Sequence, residues 1–189
     1  CVLLTLLLLT LFLPVYALFE NPSIVDEAGY LMQSELAELS KELDKVREKY
    51  DFEVAIYTES DMTSSTAEAS ADDIYDYQGY GAGENDDGIM LYICSDTREY
   101  HFTTHGKGLK YFNANGLAYL ESKVVPHLSE NDYYEAFEEY IETTDKLLQM
   151  AKDGKPYNEK QYSMKYLFGV IIVCLIAPIL IAFWMMKRK

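Results

Sequence analysis

Residues 89–104 decide the fold, and they read Ile-Met-Leu-Tyr-Ile-Cys-Ser-Asp-Thr-Arg-Glu-Tyr-His-Phe-Thr-Thr. Their first six residues form a continuous apolar run, which predicts a strand over 89–94 in a sheet that is covered on both faces. The polar residues 95–98 predict a tight turn, and residues 100–104 predict a strand that returns beside the first. The stretch therefore predicts an antiparallel hairpin within a sheet that helices cover on both sides.

A further strand and a helix precede the hairpin. Residues 52–58 are rich in residues that favour strands, and residues 67–78 predict a helix that ends at Gly79. A strand, a helix and a second strand in one sheet connect by a right-handed crossover. The strands over 52–58 and 89–94 should therefore be parallel.

Three more helices are predicted from the rest of the chain. Apolar residues at spacings of three and four follow Asp26, the expected N-cap, and predict an amphipathic helix of roughly 23 residues. Residues 115–125 predict a helix that stops at Pro126. Asp132, with Glu135 three residues later, is typical of the capping box of a last helix. This order of elements predicts an α/β fold, a three-layer α/β/α sandwich with a small mixed sheet.

Charge is distributed unevenly along the 189 residues. The chain has 31 Asp and Glu against 16 Lys and Arg, a net charge of −15, and every acidic residue lies between Leu18 and Lys165. This acidic segment excludes nucleic acid as a partner, because phosphate contacts need clustered Lys and Arg. The segment is also rich in Tyr, Leu, Ile and Phe, which excludes a disordered chain. Residues 18–153 therefore predict one ordinary domain.

Both ends of the chain are apolar and predict membrane targeting. Residues 1–17 are typical of a secretory signal peptide cleaved after Ala17, with an uncleaved N-terminal anchor as the alternative. Residues 166–186 predict a transmembrane helix, because they contain an uncharged run of about 20 residues, enough to cross the hydrocarbon core. Residues 187–189 would form a cytoplasmic basic stop, and residues 154–165 would be a tether. The expected location is the cell membrane, with a single pass and the acidic domain outside the cytoplasm.

Several short motifs, in their order and spacing, resemble the TPM domain family. They are residues 25–31 (Val-Asp-Glu-Ala-Gly-Tyr-Leu), Gly81-x-Gly83 followed by residues 87–91, Arg98, residues 104–109, Pro126 and residues 131–133. The resemblance covers about residues 20–153 and implies an extracytoplasmic domain. Some relatives are reported as acid phosphatases and some bind calcium or other divalent ions, so the resemblance implies both properties as functions to test. Lys110 and Asn115 stand where family members often carry carboxylates, and the chain departs from the family there.

The first candidate site is the acidic, glycine-rich segment between the predicted helix over 67–78 and the strand over 89–94. Hard divalent cations such as calcium take several oxygen ligands, and glycine lets backbone carbonyls approach the ion. The expected metal ligands are Glu84, Asp86, Asp87 and Asn115. The alternative is an acidic β-turn, in which Asp87 accepts hydrogen bonds from backbone N–H groups before Gly88.

A second candidate site lies at the opposite end of the sheet, where the parallel strands have their carboxyl ends. Open α/β sheets commonly bind ligands at this edge. The charged residues that the topology brings there are Asp26, Asp61, Asp96, Arg98 and Asp132.

Two functions remain open at this level. The leading one is an accessory binding module for membrane or envelope protein upkeep, which would hold an unknown protein partner or a divalent cation near the bilayer. The alternative is a metal-dependent acid phosphatase of the TPM family, with His105, Lys107 and Lys110 as groups that could hold phosphate. The sequence contains no Gly-x-Ser-x-Gly, His-Glu-x-x-His, Cys-x-x-Cys or Walker motif. Catalytic residues are therefore unassigned.

Overall fold

A computed structural model describes residues 21–158, and over them the chain forms an α/β fold with a mixed sheet of four strands. In chain order the elements are β1 (Ile24–Asp26), α1 (Gln33–Tyr50), β2 (Glu53–Glu59), α2 (Ala67–Gln78), a 3-10 turn (Gly83–Asn85), β3 (Gly88–Cys94), β4 (Glu99–His105), α3 (Gly108–Tyr111), α4 (Ala114–Glu130) and α5 (Tyr133–Lys152). The predicted signal peptide, transmembrane helix and basic stop lie outside the described residues. Within residues 21–158, no helix has the length and apolar character needed to cross a bilayer.

The four strands lie in the order β1-β2-β3-β4. β1 is parallel to β2, with Ile24 opposite Ile56, and β2 is parallel to β3, with Val54 opposite Ile89. β4 turns back beside β3 and is antiparallel to it. The parallel crossover and the hairpin predicted from the sequence are both confirmed.

The side chains of β2 and β3 alternate between the two faces of the sheet, and both faces are buried. One face packs against α1, α4 and α5 through Val54, Ile56, Ile89, Leu91 and Ile93. The other face packs against α2 through Ala55, Tyr57, Met90, Tyr92 and Cys94. Burying one large apolar side chain stabilises the fold by about 1.5–3 kcal/mol. A strand that is buried on both faces therefore gains stability from an apolar residue at every position, which explains the unbroken run over 89–94.

The N-terminal segment differs from the prediction of one long helix capped by Asp26. Residues 24–26 form a short edge strand, and α1 begins only at Gln33. A strand of three residues is too short to show an alternating pattern. The Asp26 carboxylate accepts the backbone N–H groups of Tyr30 and Leu31, so this residue holds a turn instead of capping a helix.

The prediction that α4 stops at Pro126 is wrong, because the helix continues to Glu130. Proline lacks an N–H group, which leaves the carbonyl of Ser122 without its helical donor. Both Ser122 and Pro126 lie on the exposed side of α4, where water can bind that carbonyl. Leu128 packs against the core one turn beyond the proline, and this burial offsets the lost hydrogen bond.

The packed domain extends into the segment predicted as a tether. Tyr157 is buried, and its ring stacks on Tyr119 of α4 with 4.5 Å between the centroids. The side-chain amide of Asn113 donates to the Tyr157 carbonyl at 3.1 Å. The chain therefore stays attached to the first turns of α4 until at least this residue.

Candidate functional site

Asp87 is the central residue of the glycine-rich end, which lies at the amino ends of β2 and β3. Its side chain is buried, with 4% of the residue exposed. Oδ1 accepts the backbone N–H of Lys107 at 2.6 Å, and Oδ2 accepts the Lys107 ammonium at 2.5 Å. The carboxylate in turn raises the pKa of the Lys107 ammonium. Asp87 therefore connects the loop before β3 to the loop after β4.

The glycines around Asp87 allow backbone segments to approach closely. A Cβ at Gly106, where φ is +54°, would lie 2.3 Å from Asp87 Oδ1, and a Cβ at Gly108 would lie 2.3 Å from the carbonyl oxygen of Gly88. A Cβ at Gly88 would lie 2.0 Å from the Tyr75 hydroxyl. These glycines are required by packing between loops, because a side chain at any of them would clash with a neighbouring segment.

The four side chains predicted to bind a metal are not assembled into one ligand set. Glu84 and Asp86 are exposed, and Asn115 is exposed in the first turn of α4. Asp86 has φ of +52°, and its carbonyl accepts the Tyr75 hydroxyl at 3.0 Å. Among residues 21–158 no group of three or more His, Cys, Asp and Glu side chains is placed to hold one metal ion. The Asp87 carboxylate accepts its hydrogen bonds from Lys107, 20 residues along the chain, and not from the backbone N–H groups before Gly88 that the acidic-turn alternative invoked. The metal site stays a prediction.

A buried ion pair lies at the same end of the sheet. Arg47 of α1 and Glu53 of β2 are each 2% exposed. Arg47 Nη2 donates to Glu53 Oε2 at 3.0 Å and to the carbonyl of Asn21 at 3.1 Å. Burial raises the pKa of the Glu53 carboxyl, and the neighbouring Arg47 charge only partly opposes that shift. The pair fixes the start of β2 to α1 and is closed to solvent.

Asp26 organises the opposite end, where β1, β2 and β3 have their carboxyl ends. Its Oδ1 accepts the hydroxyl of Thr58 at 2.7 Å and the N–H of Tyr30 at 3.2 Å, and its Oδ2 accepts the N–H of Leu31 at 2.9 Å. Three donors on one half-buried carboxylate make a rigid turn. Asp26 is therefore a positioning residue that places the Tyr30 ring at the edge of the sheet.

Tyr30 forms one wall of an aromatic pocket. Its ring stacks on Tyr133, the first residue of α5, with 3.5 Å between the centroids and 12° between the planes. Burial raises the pKa of the Tyr30 hydroxyl, and its hydrogen bond with Tyr133 raises it further, so the group stays protonated at neutral pH. The pocket has a volume of about 160 Å³. It is lined by Tyr30, Tyr100, Tyr133, Arg98 and Ser129 over a floor of Ile93, Val125 and Leu128.

Arg98 lies at the rim of this aromatic pocket. It has φ of +59° in the turn between β3 and β4, and its side chain is exposed. One guanidinium nitrogen donates to Asn131 Oδ1 at 2.8 Å, which fixes the arginine to the corner between α4 and α5. Within the described range 21–158, Arg47 has a carboxylate partner whereas Arg98 has none. Its remaining N–H groups can therefore bind an anionic group from outside.

The other three charged residues predicted for this end lie on its exposed surface. Asp61 and Asp96 follow β2 and β3, and the N–H of Asp96 donates to the carbonyl of Ser60 at 3.2 Å. Asp132 precedes α5, but its side chain makes no capping hydrogen bond, so the predicted capping box is wrong. The structure therefore brings the second residue set to one end of the fold, and of these only Arg98 lines the pocket.

Sequence reasoning missed the three tyrosines that form most of the pocket. Tyr30 and Tyr133 both lie inside motifs that carried the family resemblance, at residues 25–31 and 131–133. The second candidate site already included Asp26 and Asp132, which lie in the same two motifs. The signal in the sequence is the presence of an aromatic residue in each of these motifs, beside the charged residues.

Comparison with known proteins identifies the family. The family model described as "TPM domain" matches residues 24–147. The chain is similar to the UPF0603 protein YdjH of Bacillus subtilis (strain 168), with 29% identity over 140 residues, which are 71% of this chain and 51% of that protein. The chain thus spans about half the length of the curated relative that it matches.

Three solved structures share the fold. The solution NMR structure of the N-terminal domain of a protein from P. gingivalis has a TM-score of 0.61 at 20% identity, over 73% of this chain and 88% of that one. The NMR structure of protein BA42 from Bizionia argentinensis has a TM-score of 0.57 at 11% identity, over 69% and 87%. The N-terminal domain of cg2496 from Corynebacterium glutamicum has a TM-score of 0.55 at 12% identity, over 71% and 84%. With the family model matched over most of its folded part, this chain belongs to the TPM domain family.

Proposed function

We propose that this chain is a TPM-family binding module that recognises a partner protein through the aromatic pocket at the carboxyl ends of its parallel strands. The observation that carries the proposal is the pocket itself, with Tyr30, Tyr100 and Tyr133 as walls and, at its rim, Arg98, which has no carboxylate partner within residues 21–158. Tyrosine and arginine supply most of the binding energy at many protein interfaces. Ligands commonly bind open α/β sheets at this same edge.

The pocket is prepared for binding before a ligand arrives. Asp26 holds the Tyr30 turn, the stacked Tyr133 holds the Tyr30 ring, and Asn131 holds Arg98. Side chains that are already fixed lose less conformational entropy on binding, which strengthens the complex. This support explains why a binding module would keep the half-buried Asp26 carboxylate and the Asn131 amide next to an aromatic pocket.

The alternative function, a metal-dependent acid phosphatase, needs free positive charge or a metal for the phosphoryl oxygens. Two of the three candidate phosphate-binding groups, Lys107 and His105, instead face carboxylates. Lys107 is bound to Asp87, and His105 has its Nδ1 3.6 Å from Asp76 Oδ1 and its Nε2 3.9 Å from Asp72 Oδ1. These contacts support the binding module over the phosphatase.

We further propose that the module is exported by the segment 1–17 and held at the outer surface of the cell membrane by a helix over 166–186. The sequence of these segments supports this part of the proposal. The residues 159–165 between the packed domain and the proposed anchor can extend by no more than about 25 Å. The partner would therefore be a membrane protein or a protein held close to the bilayer.

Photo-crosslinking in cells that express the full chain tests the binding function. A photoreactive phenylalanine derivative replaces Tyr133 in the pocket, and in the control chain it replaces Tyr77, which is 86% exposed on α2. We expect a discrete crosslinked protein at position 133 and none at position 77, and we expect Asp26→Ala to remove the adduct. Equal crosslinking at the two positions, or an adduct that Asp26→Ala leaves intact, would show that the pocket does not recognise a partner.

A further inference from the structure

The free edge of β4 lies next to the aromatic pocket. The sheet ends at β4, so among residues 21–158 no strand pairs with its outer edge. In an antiparallel pair, alternate residues direct their N–H and C=O groups away from the partner strand. These outward groups are a template to which an extended peptide can add as a further strand.

A groove runs along this edge and leads to the aromatic pocket. It has a volume of about 490 Å³, and the five consecutive residues Arg98–Phe102 line it. Ala67 of α2 flanks the groove on one side, and Leu117 and Glu121 of α4 flank it on the other. Arg98 and Tyr100 line both the groove and the pocket, which joins the two cavities at the start of β4.

We propose that this groove binds the C-terminal segment of a partner protein as a fifth strand antiparallel to β4, with the terminal carboxylate bound by Arg98. This inference rests on the proposed binding function and specifies its ligand. β4 begins beside Arg98 and ends at His105, so an antiparallel peptide ends at Arg98. The side chain of its last residue then enters the aromatic pocket.

The charge of the site fits a terminal carboxylate. Arg98 has a planar group of donors and no carboxylate partner among the described residues, and such a group binds a carboxylate through two parallel hydrogen bonds. Glu99 and Glu121 line the groove but not the pocket, and their carboxylates repel acidic side chains of a bound peptide. The preferred ligand therefore has an apolar last residue, a free terminal carboxylate and neutral or basic residues before it.

Peptide selection followed by binding measurements tests this inference with the purified full-length chain. The probe is a library of random seven-residue peptides displayed with free C-termini, and the best peptide is then synthesised as an acid and as an amide. We expect fluorescence anisotropy to show about tenfold or greater weakening for the amide, because a charge-assisted hydrogen bond is lost. Arg98→Ala should weaken binding of the acid to the same degree and leave binding of the amide unchanged. The control Lys41→Ala removes an exposed cation of α1 and should change neither affinity.

A separate binding experiment tests whether the peptide pairs with β4 as an added strand. Two versions of the selected peptide are N-methylated at alternate backbone amides, in the two possible phases. We expect one version to lose binding and the other to keep it, because only one set of peptide N–H groups faces β4. Docking through side chains alone would treat the two versions alike and would overturn the inference.

The remaining outcomes separate this inference from the proposed function. Equal binding of the acid and the amide, with both lost in Tyr133→Ala, would overturn carboxylate recognition and leave a pocket that binds internal segments. Selected peptides that bind Arg98→Ala and Tyr133→Ala as well as the unaltered chain would overturn both proposals. Dimerisation of the chain through β4, detected by sedimentation and abolished by Thr104→Pro, would show that the edge pairs with a second copy and would also overturn the inference.

Discussion

Replacing Asp87 tests what the glycine-rich end of this TPM domain does. In Asp87→Ala the N–H of Lys107 loses its charged acceptor at 2.6 Å, and a buried position is left empty. Hydrogen bonds to charged groups contribute about 1.5–3 kcal/mol, so we expect a loss of about 2 kcal/mol in the free energy of unfolding. For a domain of this size, that loss lowers the melting temperature by roughly 6–10 °C. Asp87→Asn keeps an oxygen acceptor for the Lys107 N–H and should lose less.

The matched control is Lys107→Ala, which removes the ammonium but keeps the backbone N–H bound to Asp87. The Lys107 side chain is 59% exposed, so we expect only a small change in melting temperature, because exposed ion pairs contribute little. Circular dichroism during heating of the purified chain at neutral pH gives all three values. If Lys107→Ala destabilises the domain as much as Asp87→Ala, the ion pair and not the loop-to-loop hydrogen bond holds this end together, and the reasoning fails.

Four further results follow from the structure. Millimolar calcium should leave the melting temperature unchanged, because the best-placed carboxylate is already bound to an ammonium; an increase that Asp87→Asn abolishes would instead support a metal site. Gly88→Ala should prevent folding in an expression and solubility assay, since its Cβ would lie 2.0 Å from the Tyr75 hydroxyl. The control Gly116→Ala has no atom nearer than 3.7 Å to its Cβ, so this variant should fold and melt at an equal or higher temperature. Asp26→Ala should free the Tyr30 turn, so that hydrogen exchange at residues 27–31 accelerates while exchange in β3 stays slow; equal acceleration in both would mean global destabilisation. Burial raises the pKa of Glu53 above 4.5 in the folded state, so protonation of this carboxyl favours folding. The free energy of unfolding, relative to that of Glu53→Gln, should therefore be highest below pH 4.5 and fall as the pH rises through the raised pKa. Urea denaturation at a series of pH values measures this difference, and the opposite slope would contradict the reasoning.

The elements that the sequence predicts well are those whose residues contact the core directly. β3 is apolar because both of its faces are buried, and α2 has its predicted bounds because Thr66 caps its first turn and Gly79 takes a left-handed conformation at its end. β1 could not be predicted from the sequence, because three residues are too few to show an alternating pattern. α4 continues past Pro126 because the position is exposed, and exposure cannot be read from the proline alone.

The candidate site was harder to predict than the fold, because the residue types alone do not give the burial and the contacts of each side chain. The sequence gathers Glu84, Asp86 and Asp87 within four positions, which suggests a cation. Burial and the approach of Lys107 across the fold turn Asp87 into a structural anchor. Topology alone predicted which charged residues follow the carboxyl ends of the parallel strands, and a ligand site formed by them stays a prediction. The stacking of Tyr30 on Tyr133 depends on a contact between residues at opposite ends of the domain, which no local pattern reveals.

The packing of Tyr157 on Tyr119 determines which end of α4 the C-terminal part of the chain leaves from. The chain leaves the folded part beside the first turns of α4, whereas Arg98 and the aromatic pocket lie beside the last turn of the same helix. A helix of 17 residues is about 25 Å long. If the module is anchored as proposed, the anchor and a bound partner segment would lie at opposite ends of α4, so the anchor would not compete with the partner for the recognition surface.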